Sequence, residues 1–256
     1  HYSDILINYD SQYLNQARFD YKLNKKKGAK FLLGPRYCIL PKINRSKKVK
    51  KKNNSFYITM YMGGSGNLLM IYHLIKELKK KIKKNIFINV IIGPLSKNKN
   101  LILKLSKIDK NIIPIENSKN LFDIYKKSDL FIGAAGTSVF ETAAMRLPSL
   151  LISITKNQMT DILSLEKIGH YFFLKNKELK EINKLSDLIC LMIIFYKRVK
   201  LLTQSASIKI DDKGIKKIKE AIFNRENNFK DKISVRHPNK AKKNNYKVRR
   251  VNDSDI

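Results

Sequence analysis

The chain has 256 residues, 43% of them hydrophobic, which suffices for one or two domains with a sizeable apolar core. Its 53 Lys and Arg residues against 21 Asp and Glu give a formal net charge of +32, a balance that invites a nucleic-acid or acidic-membrane interpretation. No helix-turn-helix, zinc-finger or RNP pattern accompanies the charge, and lysine is abundant throughout. We therefore read the charge as a general lysine bias and expect no nucleic-acid partner.

The two cysteines and the lengths of the apolar runs indicate in which cellular environment the protein works. Cys38 and Cys190 lie in apolar surroundings without a CxxC pattern, which favours neither a disulfide nor a zinc site and fits a reducing, cytoplasmic environment. The longest apolar run, residues 188–196, is too short to span a bilayer, so no membrane partner is expected. The chain does not start with Met, so we expect a fragment, and the lack of a visible signal peptide says little.

The segments before residue 55 are short and irregular. They are a strand at 4–8, a helix at 11–23, a strand at 31–33, a Gly/Pro-broken loop at 34–41 and a Lys-rich polar linker at 46–54. Arg36 in the loop, like Arg45 or a lysine of the linker, could reach a phosphate.

From residue 55 strands and helices alternate. Strands are predicted at 56–62, 86–92, 112–115, 129–132, 149–154 and 171–174. Helices are predicted at 67–83, 99–107, 120–127, 178–202 and 213–223. Two more are predicted, one from Thr137 or Ser138 to residue 145, and one that follows the turn at 156–158 and ends at about residue 168. The first helix carries an apolar stripe of Leu68, Ile71, Tyr72, Ile75, Leu78 and Ile82. This order predicts an α/β, Rossmann-like, mostly parallel sheet with helices on both faces.

Three loops of small or polar residues leave carboxyl ends of the predicted strands, where ligands bind in such folds. They are Gly63 to Gly66, 134–138 and 156–158. Their agreement is a better indication of a ligand site than any one of them, because a Gly-Gly pair alone is often only a tight turn.

The stretch from Asp129 to Glu141 is the centre of the predicted site. Small residues, Gly133 to Gly136, follow a short strand and leave room for a ligand. Thr137 or Ser138 can cap the next helix, and Glu141 lies three residues past Ser138, as in a capping box. A helix start of this kind favours a phosphate. An ordinary strand-to-helix turn, with Glu141 as a capping partner, explains the spacing equally well.

Taken together, these motifs resemble the UDP-2,4-diacetamido-2,4,6-trideoxy-β-L-altropyranose hydrolase of pseudaminic acid synthesis, a relative of GT-B glycosyltransferases of the MurG type. The resemblance covers residues 1 to about 223. Its marks are His1-Tyr-Ser-Asp-Ile-Leu-Ile-Asn8, Leu33-Gly-Pro-Arg-Tyr-Cys-Ile-Leu40, Met62-Gly-Gly-Ser65, Gly133 to Glu141, Leu147-Pro-Ser-Leu-Leu-Ile152, Asn157-Gln158 and Ile210-Asp-Asp-Lys-Gly214. It implies the C-terminal half of a GT-B fold, which holds the UDP moiety.

The resemblance also implies roles for individual residues. Gly64 and Ser65 would approach the diphosphate, and Ser138 would stand where the helix start meets the nucleotide. Glu141 would accept hydrogen bonds from the ribose hydroxyls, since a carboxylate can accept two at once. Asn157 and Gln158 would face the sugar, unless they only cap a helix. The full set of expected substrate-binding residues is Arg36, Gly63, Gly64, Ser65, Ala135, Thr137, Ser138, Glu141, Asn157 and Gln158.

The implied reaction is hydrolysis of a UDP-linked diacetamido-trideoxy sugar, without cofactor or metal. It needs a general base for water and positive or N–H groups for the leaving diphosphate. The family's base is a histidine in a Gly-rich loop of the N-terminal domain, so we expect no catalytic base in this chain: His1, His73, His170 and His237 do not match it. A MurG-like glycosyltransferase is the second hypothesis, and a basic nucleic-acid-binding protein the third.

The domain boundaries follow from these assignments. We expect the end of an N-terminal GT-B domain and a crossover at 1–45, the UDP-binding domain at 46–223 and a linker or disordered tail at 224–245, where apolar residues become rare. Residues 246–256 resemble the first strand and helix start of a GNAT-type N-acetyltransferase, which suggests a fused acetyltransferase domain.

Overall fold

The structure is a computed structural model, which describes residues 4–9, 30–43, 55–82, 85–118, 120–155 and 162–233. Four expectations fall outside these ranges: the helix at 11–23, the Lys-rich run at 46–54, the pair Asn157-Gln158 and the acetyltransferase-like segment at 246–256. The chain divides into two compact units, His1–Ile218 and Lys219–Ile256. Both sheets and the candidate site described below belong to the first unit.

A small parallel sheet comes first in the chain. It pairs β1 (Ile5–Asn8) with β2 (Lys30–Leu33), both close to their predicted positions. A short 3-10 helix, Pro35–Tyr37, follows in the loop predicted after β2. Further along, Cys38, Leu40 and Ile43 are buried in a core that they share with the larger sheet.

The larger sheet has six parallel strands in the spatial order β5-β4-β3-β6-β7-β8. The strands are β3 (Phe56–Tyr61), β4 (Ile86–Ile92), β5 (Ile112–Glu116), β6 (Leu130–Ala134), β7 (Ser149–Ser153) and β8 (Phe172–Lys175). The helices are α1 (Leu69–Lys81), α2 (Lys99–Ile108), α3 (Leu121–Lys127), α4 (Ser138–Met145), α5 (Ile162–Lys167), α6 (Ile182–Ile194), α7 (Tyr196–Gln204) and α8 (Gly214–Ile233). The predicted α/β, Rossmann-like architecture is confirmed.

The central strands are apolar on both faces, because each face is covered by helices. In β6, Leu130 and Ile132 point into one core and Phe131 into the other. The first core holds side chains of α1, α6 and α7, and the second holds side chains of α3, α4 and α5. The continuous apolar runs of the sequence thus become a sheet buried on both sides.

The amphipathic stripe predicted for α1 forms one wall of the first core. Leu68, Ile71, Ile75 and Leu78 are at most 1% exposed, and Leu74, which the predicted stripe did not include, is also buried. The helix is two residues shorter at each end than the predicted 67–83. At its carboxyl end it stops at Lys81, because Ile82 has an extended backbone.

Three more elements differ from prediction: β6, the helix predicted at 178–202 and α8. Gly133 and Ala134 belong to β6 rather than to the turn after it; a Cβ on Gly133 would collide with the backbone carbonyl of Tyr61 on the neighbouring strand, so glycine permits this close pairing. The helix predicted at 178–202 is two helices, α6 and α7, separated at Phe195 and preceded by the 3-10 helix Asn176–Lys180. Helix α8 does not end near residue 223 but continues to Ile233, into the predicted linker.

The order of the strands reverses between β3 and β6. From β3 the chain proceeds through β4 to β5 on one side, and from β6 through β7 to β8 on the other. The loops that leave β3 and β6 therefore diverge, and a crevice opens between them at the carboxyl edge of the sheet. The glycine loop and the small-residue turn singled out in the sequence are these two loops.

The glycine loop after β3 is backed by a second loop of the same backbone form after β4. Backbone hydrogen bonds join them: Leu95 N donates to Gly64 O at 2.9 Å, Lys97 N to Gly66 O at 3.1 Å, and Leu68 N to Lys97 O at 3.1 Å. The Asn98 side chain adds a bond of 2.7 Å to Asn67, whose amide oxygen also accepts from Leu69 N at the start of α1. The two loops thus support each other.

Gly93 is where the loops come closest. A Cβ built there would lie 2.5 Å from Gly64 O and 2.6 Å from Gly63 O, whereas a Cβ on Gly64 meets nothing within 4 Å. We expect Gly93→Ala to lower the free energy of unfolding by about 1–3 kcal/mol through overpacking, and Gly64→Ala, the matched control, to change it by less than about 0.5 kcal/mol. Urea denaturation measures both. Equal effects of the two substitutions would mean that the two loop backbones do not pack closely at Gly93.

Candidate functional site at the carboxyl edge of the sheet

A cavity of about 730 Å³ occupies the crevice between the loops after β3 and β6. That volume is within the range of small-molecule sites in proteins, roughly 300–1,000 Å³. The residues that line it are Tyr61, Met62, Gly63, Gly64, Ser65, Gly66, Asn67, Lys97, Leu121, Ala134, Gly136, Thr137, Ser138, Glu141, Ile154 and Thr155. The starts of α1 and α4 both face this space.

Most of the residues selected from the sequence come together here. Those that line the cavity are Gly63, Gly64, Ser65, Thr137, Ser138 and Glu141. Ala135 is buried beside it, with its N–H donated to Ile152 O at 2.8 Å. Arg36 is not among the lining residues; its guanidinium lies over the ring of Tyr37, 4.8 Å from the centroid. The third predicted loop carries Asn157 and Gln158, outside the described residues, although Ile154 and Thr155 just before it line the cavity.

Glu141 does not form the capping box that its spacing suggested. The N-cap residue that precedes α4, Thr137, has a helical backbone and makes no side-chain capping bond. Instead, the Tyr125 hydroxyl on α3 donates to Glu141 Oε2 at 3.2 Å. The capping alternative fails because α4 begins at Ser138 with Thr137 as its N-cap residue, so Glu141 lies one position past the N3 residue of a capping box. Glu141 is thus a half-buried acid directed at the cavity rather than a local capping group.

Burial governs the ionisation of this corner of the site. Burial raises the pKa of the Glu141 carboxyl, and the hydrogen bond from Tyr125 opposes that rise. Burial and, next, the charge of Glu141 raise the pKa of the Tyr125 phenol well above its usual range, so Tyr125 remains the donor. The same two causes raise the pKa of Tyr61, which lines the cavity nearby.

Lys97 is a site residue that the sequence did not reveal. It follows β4 in the supporting loop and is the one basic side chain among the described residues that line the cavity. One lysine among so many carries no sequence signal, and it reaches the cavity because its loop stacks on the glycine loop. The cavity therefore has a cation beside its glycine loop and an anion, Glu141, at the start of α4.

His170 is close to this site but not part of its lining. Its ring is 1% exposed, and Nε2 lies 2.7 Å from Val139 O in the first turn of α4, a contact in which the ring nitrogen donates. Its other nitrogen, Nδ1, is buried without a hydrogen-bond partner. Burial lowers the pKa of His170 to about 4. The ring is thus a neutral support for α4.

Three further observations concern metal ions, membrane spans and a second cavity. Among the described residues, no group of three or more His, Cys, Asp or Glu side chains is arranged to hold a metal ion. No described helix is long and apolar enough to cross a membrane. A second cavity of about 660 Å³ lies at the opposite, amino edge of the sheet, where Tyr125, Asp129, Arg146 and Tyr196 are among its lining residues.

Comparison with known families agrees with this arrangement. Residues 58–234 match the glycosyltransferase family 28 C-terminal domain, and the chain belongs to that family. Its sequence is also 28% identical over 166 residues to the uncharacterized protein MJ1062 of Methanocaldococcus jannaschii, a match that covers 59% of this chain. The match spans about a third, 32%, of that relative's length.

Solved structures share the fold. MurG of Acinetobacter baumannii superposes with a TM-score of 0.54 at 11% identity, covering 86% of this chain and 73% of that one. The pneumococcal O-GlcNAc transferase GtfA, solved in complex with UDP and GlcNAc, gives 0.53 at 13% identity and covers 86% and 45%. The kitacinnamycin glycotransferase gives 0.52 at 11% identity and covers 77% and 50%. The fold is therefore that of the MurG-like, GT-B enzymes.

His170 should make the protein acid-sensitive. Its pKa is lowered in the folded chain from its usual 6.5 to about 4, so between these pH values the unfolded chain binds a proton that the folded chain does not. The stability that the neutral ring contributes at pH 7 is lost as pH falls through this window. We expect His170→Gln, whose side-chain amide can still donate to Val139 O, to remove roughly 3 kcal/mol of this pH dependence.

Denaturant unfolding between pH 7 and pH 4 measures this change. His73→Gln is the matched control, since His73 is an exposed histidine on α1. The control should keep the pH dependence of the unaltered chain. The same pH dependence in His170→Gln as in the control would show that His170 is not the responsible group.

Proposed function

We propose that this chain binds the UDP part of a nucleotide sugar in the carboxyl-edge cavity. The observation that carries the proposal is the meeting, at the reversal of strand order, of a glycine loop with the small-residue turn that leads to Glu141. Membership of the glycosyltransferase family 28 C-terminal domain family supports it. The UDP complex of pneumococcal GtfA, a protein of the same fold, supports it as well.

The cavity offers each part of UDP a suitable partner. The glycine loop lets a diphosphate approach the backbone, and the start of α1 adds the positive end of a helix dipole. Lys97, at the same end, supplies a charge for the phosphates. Glu141 supplies carboxylate oxygens for the ribose hydroxyls. A nucleotide with its phosphates at the glycine loop and its ribose at α4 would place the phosphates near Lys97 and the ribose hydroxyls near Glu141.

We further propose that the parent enzyme hydrolyses a UDP-linked 2,4-diacetamido-2,4,6-trideoxy sugar to UDP and the free sugar, in pseudaminic acid synthesis. The sequence motifs support this proposal. They also assign the general base to the N-terminal half, and His170, buried against Val139 O, is not available to act in its place. Residues 246–256, with their likeness to a GNAT enzyme, suit a fusion to an acetyltransferase of the same synthesis. Glycosyl transfer is the second candidate, favoured by the MurG-like fold.

The first test concerns UDP binding. We expect the chain to bind UDP in the presence of EDTA, and Lys97→Met to weaken UDP binding about fivefold at low salt while leaving uridine binding unchanged, since only UDP carries phosphates. Isothermal titration calorimetry measures the affinities of both proteins for both ligands. Lys99→Met is the matched control, because Lys99 lies 3.5 Å from Glu116 and outside the cavity.

Two results would contradict parts of this proposal. Loss of UDP binding on chelation would show that a metal ion is needed. An equal loss of uridine and UDP binding in Lys97→Met would show that Lys97 does not act on the phosphates.

The second test concerns the reaction. We expect residues 1–256 alone to release no UDP from the UDP-sugar at a useful rate, because general-base catalysis typically contributes about 10²- to 10⁴-fold and the base is assigned elsewhere. A longer protein that carries the N-terminal domain should release UDP with water as the acceptor, and replacing its loop histidine by Ala should abolish release. Chromatographic detection of UDP and free sugar measures this. A requirement for an acceptor sugar would establish transfer, and turnover by 1–256 alone would refute the location of the base.

A further inference from the structure

Tyr125 connects the interior of the domain to the cavity, and nothing in its sequence context marks it. It lies on α3, in a run of apolar and charged residues that predicts a core position. Its side chain is 1% exposed. Its ring meets the ring of Phe131 edge to face, with centroids 5.5 Å apart, and that of Phe122 with centroids 6.2 Å apart. These contacts fix the ring on the buried side of the sheet.

The fixed ring determines where its hydroxyl points. The hydroxyl donates to Glu141 Oε2 at 3.2 Å, across the gap between α3 and α4. Glu141 is half-buried and lines the cavity, and no ion pair of a basic side chain with it is found among the described residues. The Tyr125 hydroxyl is thus the side-chain donor that the described structure gives to this carboxylate, and it occupies one of the two oxygens.

A half-buried carboxylate needs such a donor to keep a single orientation and its charge. Without the donor, the carboxylate could rotate away from the cavity or take up a proton. With Oε2 held, Oε1 and the remaining lone pair of Oε2 can still accept hydrogen bonds, and Glu141 lines the cavity. Two acceptor positions side by side match the two hydroxyls of a vicinal diol.

We propose that Tyr125 is a positioning residue that holds the Glu141 carboxylate in place to accept hydrogen bonds from a vicinal diol, the ribose of UDP. This inference rests on the proposed UDP-binding function. It adds that recognition of the ribose depends on a residue that does not touch the ligand. It also makes the aromatic packing of Tyr125 against Phe131 part of the binding site's geometry.

The test compares two ligands that differ in the diol alone, UDP and 2′,3′-dideoxy-UDP. In Tyr125→Phe we expect UDP affinity to fall about 5- to 10-fold, the effect of one lost hydrogen bond of ordinary strength, while the affinity for dideoxy-UDP stays the same. In Glu141→Ala, where there is no carboxylate to position, adding Tyr125→Phe should cause no further loss of UDP affinity.

The matched control is Tyr196→Phe. Tyr196 is a partly buried tyrosine whose hydroxyl lies 3.4 Å from a carboxylate oxygen of Asp129, outside the carboxyl-edge cavity. It should leave the affinity for both ligands unchanged. Denaturant unfolding of all variants shows how much stability each lost hydroxyl removes, so that a general loosening can be recognised.

The pH dependence of UDP affinity tests the positioning role of Tyr125 independently. The hydrogen bond from Tyr125 lowers the pKa of Glu141, so its removal raises that pKa further. As pH falls, UDP affinity should therefore begin to decline at a higher pH in Tyr125→Phe than in the unaltered chain. Equal losses for UDP and dideoxy-UDP, or an unshifted pH profile, would overturn the positioning role while UDP binding stands. Failure of the unaltered chain to bind UDP would overturn the proposed function and this inference with it.

Discussion

The reversal of strand order between β3 and β6 is the constraint on which the site depends. Adjacent parallel strands normally send their loops in the same direction, and a crevice opens only where the connections diverge. Here the pairing of Tyr61 with Gly133 brings the two diverging loops to the same edge of the sheet. A side chain larger than hydrogen at position 133 would push β6 away from β3. The width of the crevice is therefore determined inside the sheet, beneath the loops themselves.

The two charged side chains of the cavity are held by different means. Lys97 is exposed and owes its place to the backbone bonds between the two stacked loops. Glu141 is half-buried and owes its orientation to a tyrosine from the neighbouring helix. The exposed cation is screened by solvent, whereas the buried anion is sensitive to each group around it. A ligand would thus meet a tolerant phosphate end and a discriminating hydroxyl end.

Local patterns predicted the elements well, and tertiary contacts explain the failures. The apolar runs of β3 to β8 and the stripe of α1 were sufficient to place the parallel sheet and its helices. The capping box between Ser138 and Glu141 was wrong, because the helix starts one residue earlier than such a box requires, with Thr137 as its N-cap residue. In the sequence, Lys97 looked like an ordinary surface charge and Tyr125 like an ordinary core residue. Lys97 reaches the cavity because two loops stack, and Tyr125 reaches Glu141 because α3 packs beside α4. The break at Phe195 has no glycine or proline to mark it.

The stacked loops after β3 and β4 also have a kinetic consequence. Because backbone bonds tie Gly64 and Gly66 to the supporting loop, the glycine loop is already ordered before any ligand arrives. The entropy of fixing a flexible glycine segment has then been lost during folding, and binding does not have to supply it. A ligand that bound at such a loop would need little rearrangement of the loop, and its association would be limited by encounter. In the proposed binding site, the loop after β4 would thus contribute to recognition mainly by holding the glycine loop in one conformation.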